Sequence, residues 1–347
     1  MHEFVLAVQI WAFDSSEFVL RLGEVGITVV GLVLLSAAVY ELAGARAAVL
    51  AAWLLALEPS GLFFSSILHK EAPMFVAEGL VAFGGARMWK RGDLGSLIIL
   101  AAGCLVGVAT RPYAGWFLIA ASAAIVLHAG LRTSRRNEVN AIGLIAVVIL
   151  VVGMTLPIAI EASSDENLEE NLQQSQDANA ADADANLALE RVDFSTREDV
   201  ILNLPIRLFD LTFKPFIWQL GSASQRLGAI GGLFALLVLA VLIRTLYRRG
   251  GEIFARAGPL VYTGFFLFIA YSLSTGNAGT GFRYRSHLLA IGLCLIASLW
   301  EWRTERAARP SFSWAADSPS PAGGRAVLPA SSSLRSEPRP SSRPGWP

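Results

Sequence analysis

The chain has 347 residues, of which 54% are apolar and 16% are charged, and its 28 Lys and Arg residues balance 28 Asp and Glu residues. This composition, with a mean hydropathy of +0.52, excludes an ordinary water-soluble domain and indicates an integral membrane protein. The balanced charge excludes a strongly basic chain, and we expect no nucleic-acid partner. Cys104 and Cys294 both lie inside apolar runs, which indicates buried thiols rather than a disulfide framework or a metal site.

The apolar runs are long enough to cross a bilayer as helices, because about 20 residues span about 30 Å of hydrocarbon. Inside the bilayer every backbone polar group needs an internal partner, so such spans are helical. We predict about nine spans, at residues 25–42, 46–68, 73–89, 94–110, 113–130, 140–161, 226–246, 258–275 and 286–302. The predicted fold is an all-α, polytopic transmembrane helix bundle.

The other segments divide the chain into five parts. Residues 1–24 have mixed polarity, which predicts an outer interfacial amphipathic segment without the features of a cleavable signal. Spans one to six occupy residues 25–161, and spans seven to nine occupy residues 226–302. Between them, residues 162–225 form an outer acidic loop. The tail, residues 303–347, is rich in Pro, Ser and Arg, so we expect a disordered cytoplasmic segment.

The second half of the acidic loop predicts a helix. Ile201, Leu204, Leu208 and Leu211 lie on one helical face, and Trp218 follows them. This pattern is typical of a helix that lies at the level of the lipid headgroups.

Basic residues in the short loops indicate the orientation of the bundle. Clusters at 87–91, 132–136, 244–256 and 303–309 alternate with the other connections, and the positive-inside rule assigns them to the cytoplasm. The acidic loop then lies outside. The N-terminus also falls outside, for which we expect a further span encoded upstream.

Four cations lie on the opposite side and run against the positive-inside tendency: Lys70, Arg111, Arg283 and Arg285. A guanidinium group offers a rigid fork of donors that matches phosphate oxygens, and a lysine adds a mobile charge. Their common side predicts a shared anion site. The alternative is that each cation reaches the headgroups or caps a helix end independently, and Arg111, directly after a span and before Pro112, is the best case for it.

Four stretches resemble, in order and spacing, a group of bacterial polytopic membrane proteins of GT-C glycosyltransferase type: "LEPSGLFFSSILHKEAPMF", "TRPYAGW", "LPIRLFDLTFKPFIW" and "GNAGTGFRYRSHLL". The resemblance extends over roughly residues 20–302, and Asn277 to Arg285 is its sharpest element. It implies a GT-C-like fold in the cytoplasmic (inner) membrane. It also implies transfer of a sugar from a polyprenyl-phosphate carrier to a glycan or lipid acceptor at the outer face, in cell-surface polysaccharide assembly.

The resemblance assigns the outer cations to the substrate phosphate. Arg283 and Arg285 are expected to bind it, with Lys70 and Arg111 as secondary partners, because negative charge grows on the carrier phosphate as the glycosidic bond breaks. Asn277 and Thr280, in the same stretch as the two arginines, are expected to support the site.

Carboxylates inside the apolar region are costly in lipid and point to a cavity or a partner. GT-C enzymes usually carry an acidic base in the first outer loop, but Asp14 and Glu17 match no such motif. Glu71, at the predicted start of a span, is therefore the candidate catalytic base. A helix-start carboxylate paired with Lys70 is the alternative. Glu78 and His287 are expected to support it, with His287 as a proton shuttle or as an exposed interfacial side chain.

Two other functions remain open at this point. One is a repeat-unit polymerase or ligase that joins lipid-linked oligosaccharides. The other is a non-catalytic transporter of lipid-linked glycans, although the sequence has no paired halves of the kind that alternating access uses. The sequence contains no phosphate-binding loop, dinucleotide fingerprint or clustered metal ligands, so we expect no cofactor and no metal. The expected partners are the polyprenyl-phosphate-linked sugar, its acceptor and membrane lipid.

Overall fold

The computed structural model describes residues 7–11, 16–61, 70–134, 189, 197–214, 216, 223–275 and 277–308. The predicted span 140–161, residues 162–188 of the acidic loop, Trp218 and the tail beyond residue 308 lie outside the described residues.

Within the described residues the chain is helical apart from turns and short connections, which confirms the all-α class. The helices are α1 (Glu17–Ala43), α2 (Ala45–Ala56), α3 (Glu71–Lys90), α4 (Leu94–Thr110), α5 (Pro112–Ser134), α6 (Arg197–Phe213), α7 (Ala223–Ser274) and α8 (Ala278–Ala308). Four segments in this part of the chain are long and apolar enough to cross a membrane: Glu17–Ala43, Pro112–Arg132, Gly231–Arg248 and Glu252–Ser274. Helices α2 and α4 are apolar but shorter. The count of about nine spans stays a prediction.

Helix α7 contains two of these segments, and the chain reverses direction between them. A methyl group at Gly292 of α8 would meet Val238 at 2.8 Å, and one at Gly264 would meet Ile291 at 3.2 Å. Val238 and Gly264 therefore both lie beside the same turn of α8. In a straight helix the 26 residues from 238 to 264 would separate them by about 39 Å, so the two segments run side by side, as separate predicted spans require.

Helix α3 is the centre of the bundle and packs against α1, α4, α5 and α7. Glycines permit the close approach of its neighbours. A methyl group at Gly31 of α1 would lie 2.5 Å from the backbone of Phe75, and one at Gly103 of α4 would lie 2.8 Å from Val81. Small residues at such contacts let membrane helices pack backbone to backbone. Because α3 is enclosed by other helices, its carboxylates Glu71 and Glu78 are covered by protein rather than by lipid.

Several predicted boundaries differ from the structure. Helix α1 begins at Glu17, so the boundary predicted between residues 24 and 25 falls inside it. Helix α8 continues to Ala308, past the predicted end at residue 302. The predicted span 46–68 is interrupted, because α2 ends at Ala56. Both cysteines are buried and unpaired, as predicted.

The interruption after α2 lies where a proline makes continuation difficult. The residue before a proline is disfavoured in the helical region, and Glu58 precedes Pro59. The Glu58 carboxylate accepts hydrogen bonds from the backbone N–H of Ser60, at 2.8 Å, and of Gly61. It thereby satisfies donors of the next helical turn.

Helix α6 forms where the sequence predicts one, but its environment is mixed. Ile201 is 70% exposed, whereas Leu211 is fully buried against α7 and α8. Arg207 and Asp210 are also buried, and Oδ1 of Asp210 lies 2.8 Å from Nζ of Lys214, an ion-pair distance. The apolar pattern alone missed this polar cluster, because the burial of Arg207 and Asp210 depends on the packing of α6 against α7 and α8.

Candidate functional site

A buried ion pair joins the start of α3 to the break between α4 and α5. One guanidinium nitrogen of Arg111 lies 2.6 Å from Oε1 of Glu71, and the two side chains are 9% and 1% exposed. Arg111 follows the last residue of α4 and has extended backbone, and Pro112 begins α5. Among the described residues, Oε2 of Glu71 and the second terminal nitrogen of Arg111 have no hydrogen-bond partner. Glu71 thus pairs with Arg111, not with Lys70, and Lys70 is exposed.

Three tyrosines from separate helices cover this pair. The Arg111 guanidinium lies 4.9 Å from the centre of the Tyr284 ring, a cation–π distance. The hydroxyl groups of Tyr284 and Tyr113 are 2.6 Å apart, and the Tyr271 ring stacks on Tyr284 at 4.6 Å. These contacts hold the guanidinium in a low-dielectric setting, where its charge acts more strongly than in water.

Charge near Glu71 controls its ionisation. Burial favours the neutral carboxyl group, but the Arg111 guanidinium, together with His287 and Arg283, outweighs burial and lowers the pKa of Glu71. Glu71 is therefore ionised at neutral pH. A low pKa makes a carboxylate a weaker base, but it keeps the proton-accepting form present over a wide pH range.

A second buried polar group lies further along α3. Oε1 of Glu78 accepts from the Tyr271 hydroxyl at 2.8 Å, and Oε2 lies 3.1 Å from Nδ1 of His287. Both Glu78 and His287 are fully buried, and the imidazole stacks on Phe75 at 4.1 Å. Of the two alternatives for His287, the exposed interfacial position is wrong, because the side chain is buried and contacts Glu78 and Phe75 of α3.

Arg283 and Arg285 lie on different sides of α8. Residues two positions apart on a helix are separated by about 200° around its axis. The contacts of Arg283 and Arg285 differ accordingly. Arg283 is partly buried, donates to the Thr280 hydroxyl at 3.5 Å and interacts electrostatically with Glu71. Arg285 is 7% exposed and donates to the backbone carbonyl of Lys214. Joint binding of one phosphate by both arginines stays a prediction.

Asn277 and Thr280 form the start of α8. The Asn277 side-chain oxygen accepts from the backbone N–H of Thr280 at 2.7 Å, the arrangement of a helix N-cap. Both residues are buried. Their contact fixes the first turn of α8, one to two turns before Arg283 and Arg285.

Arg285 borders an apolar cavity of about 230 Å³ between α6, both segments of α7, and α8. Among the described residues that line this cavity, Arg285 is the charged one; the aromatic walls include Phe265 and Phe268. The Nε atom of Arg285 is buried and has no hydrogen-bond partner in the described part of the chain. An apolar cavity lined by one cation suits a ligand with an apolar chain and an anionic head.

Glu24 is a candidate site residue that sequence reasoning missed. It is fully buried in α1, and its carboxyl group interacts electrostatically with that of Glu71. The sequence interpretation placed it in an interfacial segment. The signal that was available is a carboxylate within a continuous apolar run, which usually marks a cavity or a partner. Tyr113, Tyr271 and Tyr284 carried no comparable signal.

In the ranges that the structure describes, no group of three or more His, Cys, Asp or Glu side chains has the geometry of a metal site.

Comparison with known proteins extends this description. The family model of dolichyl-phosphate-mannose-protein mannosyltransferases, a GT-C family, matches residues 1–156. The chain resembles GT-C glycosyltransferases. The matched part is somewhat less than half of the chain and includes Glu24, Glu71, Glu78 and Arg111, but not α8. No curated protein and no solved structure matches the chain.

Proposed function

We propose that this protein is a membrane glycosyltransferase that takes a sugar from a polyprenyl-phosphate carrier at the outer face of the bacterial cytoplasmic membrane. Its product belongs to cell-surface glycan assembly. The observation that carries the proposal is the apolar cavity that ends at buried Arg285, because a polyprenyl phosphate has the same two parts. The family match over residues 1–156 supports the same donor class, since the matched family is described as using dolichyl-phosphate mannose.

The reaction needs two things from the protein. The acceptor hydroxyl oxygen attacks the anomeric carbon of the donor sugar, and the bond from that carbon to the phosphate oxygen breaks. The bonding electron pair remains on the phosphate, so a nearby cation stabilises the transition state. The hydroxyl proton must pass to a base as the new glycosidic bond forms.

The two sides of α8 supply groups for these two needs. Arg285 borders the apolar cavity and serves the carrier phosphate, while Arg283 faces the ion pair of Glu71 and Arg111. Oε2 of Glu71 is buried and has no partner among the described residues, so it is the proposed acceptor of the hydroxyl proton. Arg111 holds the other oxygen and keeps the carboxylate ionised. Lys70, exposed just before α3, is the proposed secondary partner of the phosphate.

The test is transfer by purified full-length protein in proteoliposomes that contain a polyprenyl-phosphate sugar with a radiolabelled sugar. The expected result is labelled acceptor together with free carrier phosphate. A Glu71→Gln variant, which retains the shape of the side chain without its charge, should lose most of the activity.

Two other results would replace the proposal. Product that forms only from a lipid-linked oligosaccharide would identify a polymerase or ligase. Movement of the labelled lipid between leaflets without any product would identify a transporter, and Glu71 would then have no chemical role.

A further inference from the structure

A second cavity, with a polar lining, lies at the end of α3 opposite to Glu71. Its volume is about 460 Å³, and it forms near the ends of α1, α3 and α5, beside residues of α7 and α8. Helix α3 has 20 residues and is therefore about 30 Å long. The cavity thus lies about one hydrocarbon thickness from the Glu71 ion pair, on the face predicted to be cytoplasmic.

The cavity has an excess of positive charge. Lys90, Arg132 and Arg256 line it, from α3, α5 and α7, and Glu41 of α1 is the acidic residue of the lining. Glu41 already accepts from Arg91 at 2.6 Å. Three cations and one carboxylate therefore contribute to the described lining, and the carboxylate is paired with Arg91, which lies outside that lining.

Arg132, one of the three cations in the lining, is held in place by its neighbours. Arg132 donates to the backbone carbonyl of Ala255 at 2.8 Å, and its guanidinium lies 4.6 Å from the centre of the Trp89 ring. The Trp89 indole N–H donates to the same carbonyl at 2.9 Å. A guanidinium fixed in this way needs to lose little conformational entropy when it binds an anion.

Backbone donors cap part of the end of α3, because Arg91 and Gly92 donate to the carbonyls of Arg87 and Met88 at 2.7 and 3.1 Å. The positive-inside rule predicts basic residues on this face, but it does not predict that three of them converge on one cavity.

We propose that this cavity binds the phosphate group of an anionic membrane lipid. Phosphate oxygens accept charge-assisted hydrogen bonds from Lys and Arg, and basic pockets between membrane helices on the cytoplasmic side suit lipid headgroups. The Trp89 ring, at the same level, is a residue type that favours the membrane interface. The proposal concerns the end of the bundle away from Glu71 and Arg285, so it does not depend on the proposed glycosyl transfer.

The experiment titrates phosphatidylglycerol into the purified full-length protein in neutral detergent and counts bound lipids by native mass spectrometry. The test variant is Lys90→Gln with Arg256→Gln, which leaves the Arg132 contacts intact. The matched control is Arg244→Gln with Arg248→Gln, which removes two exposed cations of α7 outside the cavity lining. The test variant should weaken binding about fivefold for each cation removed, and the control should change it less than twofold.

Three results would overturn the proposal. Equal loss in the two double variants would indicate diffuse attraction to charge. Equal binding of phosphatidylcholine and phosphatidylglycerol would exclude recognition of an anionic lipid. Binding of glycerol phosphate as tight as that of phosphatidylglycerol would identify a soluble phosphate compound as the ligand. A thermal-unfolding scan of each variant ensures that only folded protein is compared.

Discussion

Nδ1 of His287 lies 3.1 Å from Oε2 of Glu78, and neither side chain is exposed to solvent. The two residues are 209 positions apart in the chain, on α8 and α3. Together with the Tyr271 hydroxyl, they form a polar group that fastens the second half of the protein to its central helix. Buried polar groups in a membrane bundle are costly unless each is satisfied by a partner.

Removal of one partner should therefore destabilise the bundle strongly. Glu78→Ala leaves the imidazole and the Tyr271 hydroxyl without their acceptor, and each buried polar group left without a partner costs about 1–3 kcal/mol. Thermal or denaturant unfolding in detergent measures the change. Glu198→Ala, at an exposed position of α6, is the control and should change the stability little. Similar stabilities for the two variants would mean that the Glu78 contacts contribute nothing to the fold.

The Glu71 ion pair predicts a pH dependence. The folded-state pKa of Glu71 lies below its ordinary value because Arg111, together with His287 and Arg283, outweighs the effect of burial. The pair therefore contributes stability above the unfolded pKa of about 4.3, and this contribution is lost as the pH falls through the lower folded pKa. If Glu71 is the base, transfer activity should also persist at pH values below the ordinary range of a glutamate.

Arg111→Gln tests this dependence. Without the guanidinium, burial dominates and raises the pKa of Glu71, so the acidic limb of the rate profile should move to higher pH. Arg111→Lys retains a positive charge and should move it less. Initial rates of sugar transfer between about pH 4 and pH 8, around the reference values of Glu and His, give both profiles. An unchanged limb in Arg111→Gln would exclude Glu71 as the group that controls the rate.

The sequence predicts individual helices well where local signals mark both ends. Helix α4 begins and ends at the predicted residues, 94 and 110, because Asp93 caps its first turn by accepting from the Ser96 N–H at 2.7 Å and Pro112 follows its end. At α1 the N-cap residue Ser16 accepts no side-chain hydrogen bond, and the predicted start of the span was eight residues too late, at 25 instead of 17. The error excluded Glu24 from the apolar region and thus from the site.

The sequence could not predict which residues of the candidate site contact each other. Glu71 and Arg111 were both singled out from their positions at helix ends, but their contact depends on how α3 and α4 pack. The rotation of α8 decides that Arg283 faces Glu71 while Arg285 faces the apolar cavity. Linear spacing predicted a pair, whereas helical geometry places two residues at that spacing on different sides.

Because Arg283 and Arg285 lie on different sides of α8, we expect their substitution to impair different steps. Arg285→Ala removes the cation at the apolar cavity, so binding of a polyprenyl phosphate should weaken, and transfer should fall by about 10²-fold or more. Arg283→Ala should reduce transfer while it leaves carrier-lipid binding near the level of the unchanged protein. Arg248→Ala, on an exposed part of α7, is the control for charge loss. Binding of a fluorescent polyprenyl phosphate, measured beside transfer rates, separates the two effects.

Equal losses of carrier binding in Arg283→Ala and Arg285→Ala would contradict the assignment of the cavity to the carrier. That result would instead support one phosphate held by both arginines. The N-cap residue offers a further check, because Asn277→Ala should cost about 1 kcal/mol of stability and should disturb both arginines together.

Glycines on α1 predict opposite effects for the same substitution. A methyl group at Gly31 would lie 2.5 Å from the carbonyl carbon of Phe75, so Gly31→Ala must push α1 away from α3. Overpacking of this kind costs about 1–3 kcal/mol. At Gly26 a methyl group would meet nothing within 4 Å, and alanine favours the helix over glycine by about 1 kcal/mol. Gly26→Ala should therefore stabilise the protein slightly, while Gly31→Ala should destabilise it.

The contact between α1 and α3 also brings Glu24 close to Glu71, so the two substitutions should differ in activity as well. Displacement of α1 by Gly31→Ala should lower the transfer rate beyond the loss expected from unfolding, measured at a temperature where the variant remains folded. Gly26→Ala should transfer at the rate of the unchanged protein. A Gly31→Ala variant that is as stable and as active as Gly26→Ala would show that α1 does not pack on Phe75 as the structure places it, and that the carboxyl groups of Glu24 and Glu71 are not held together by this contact.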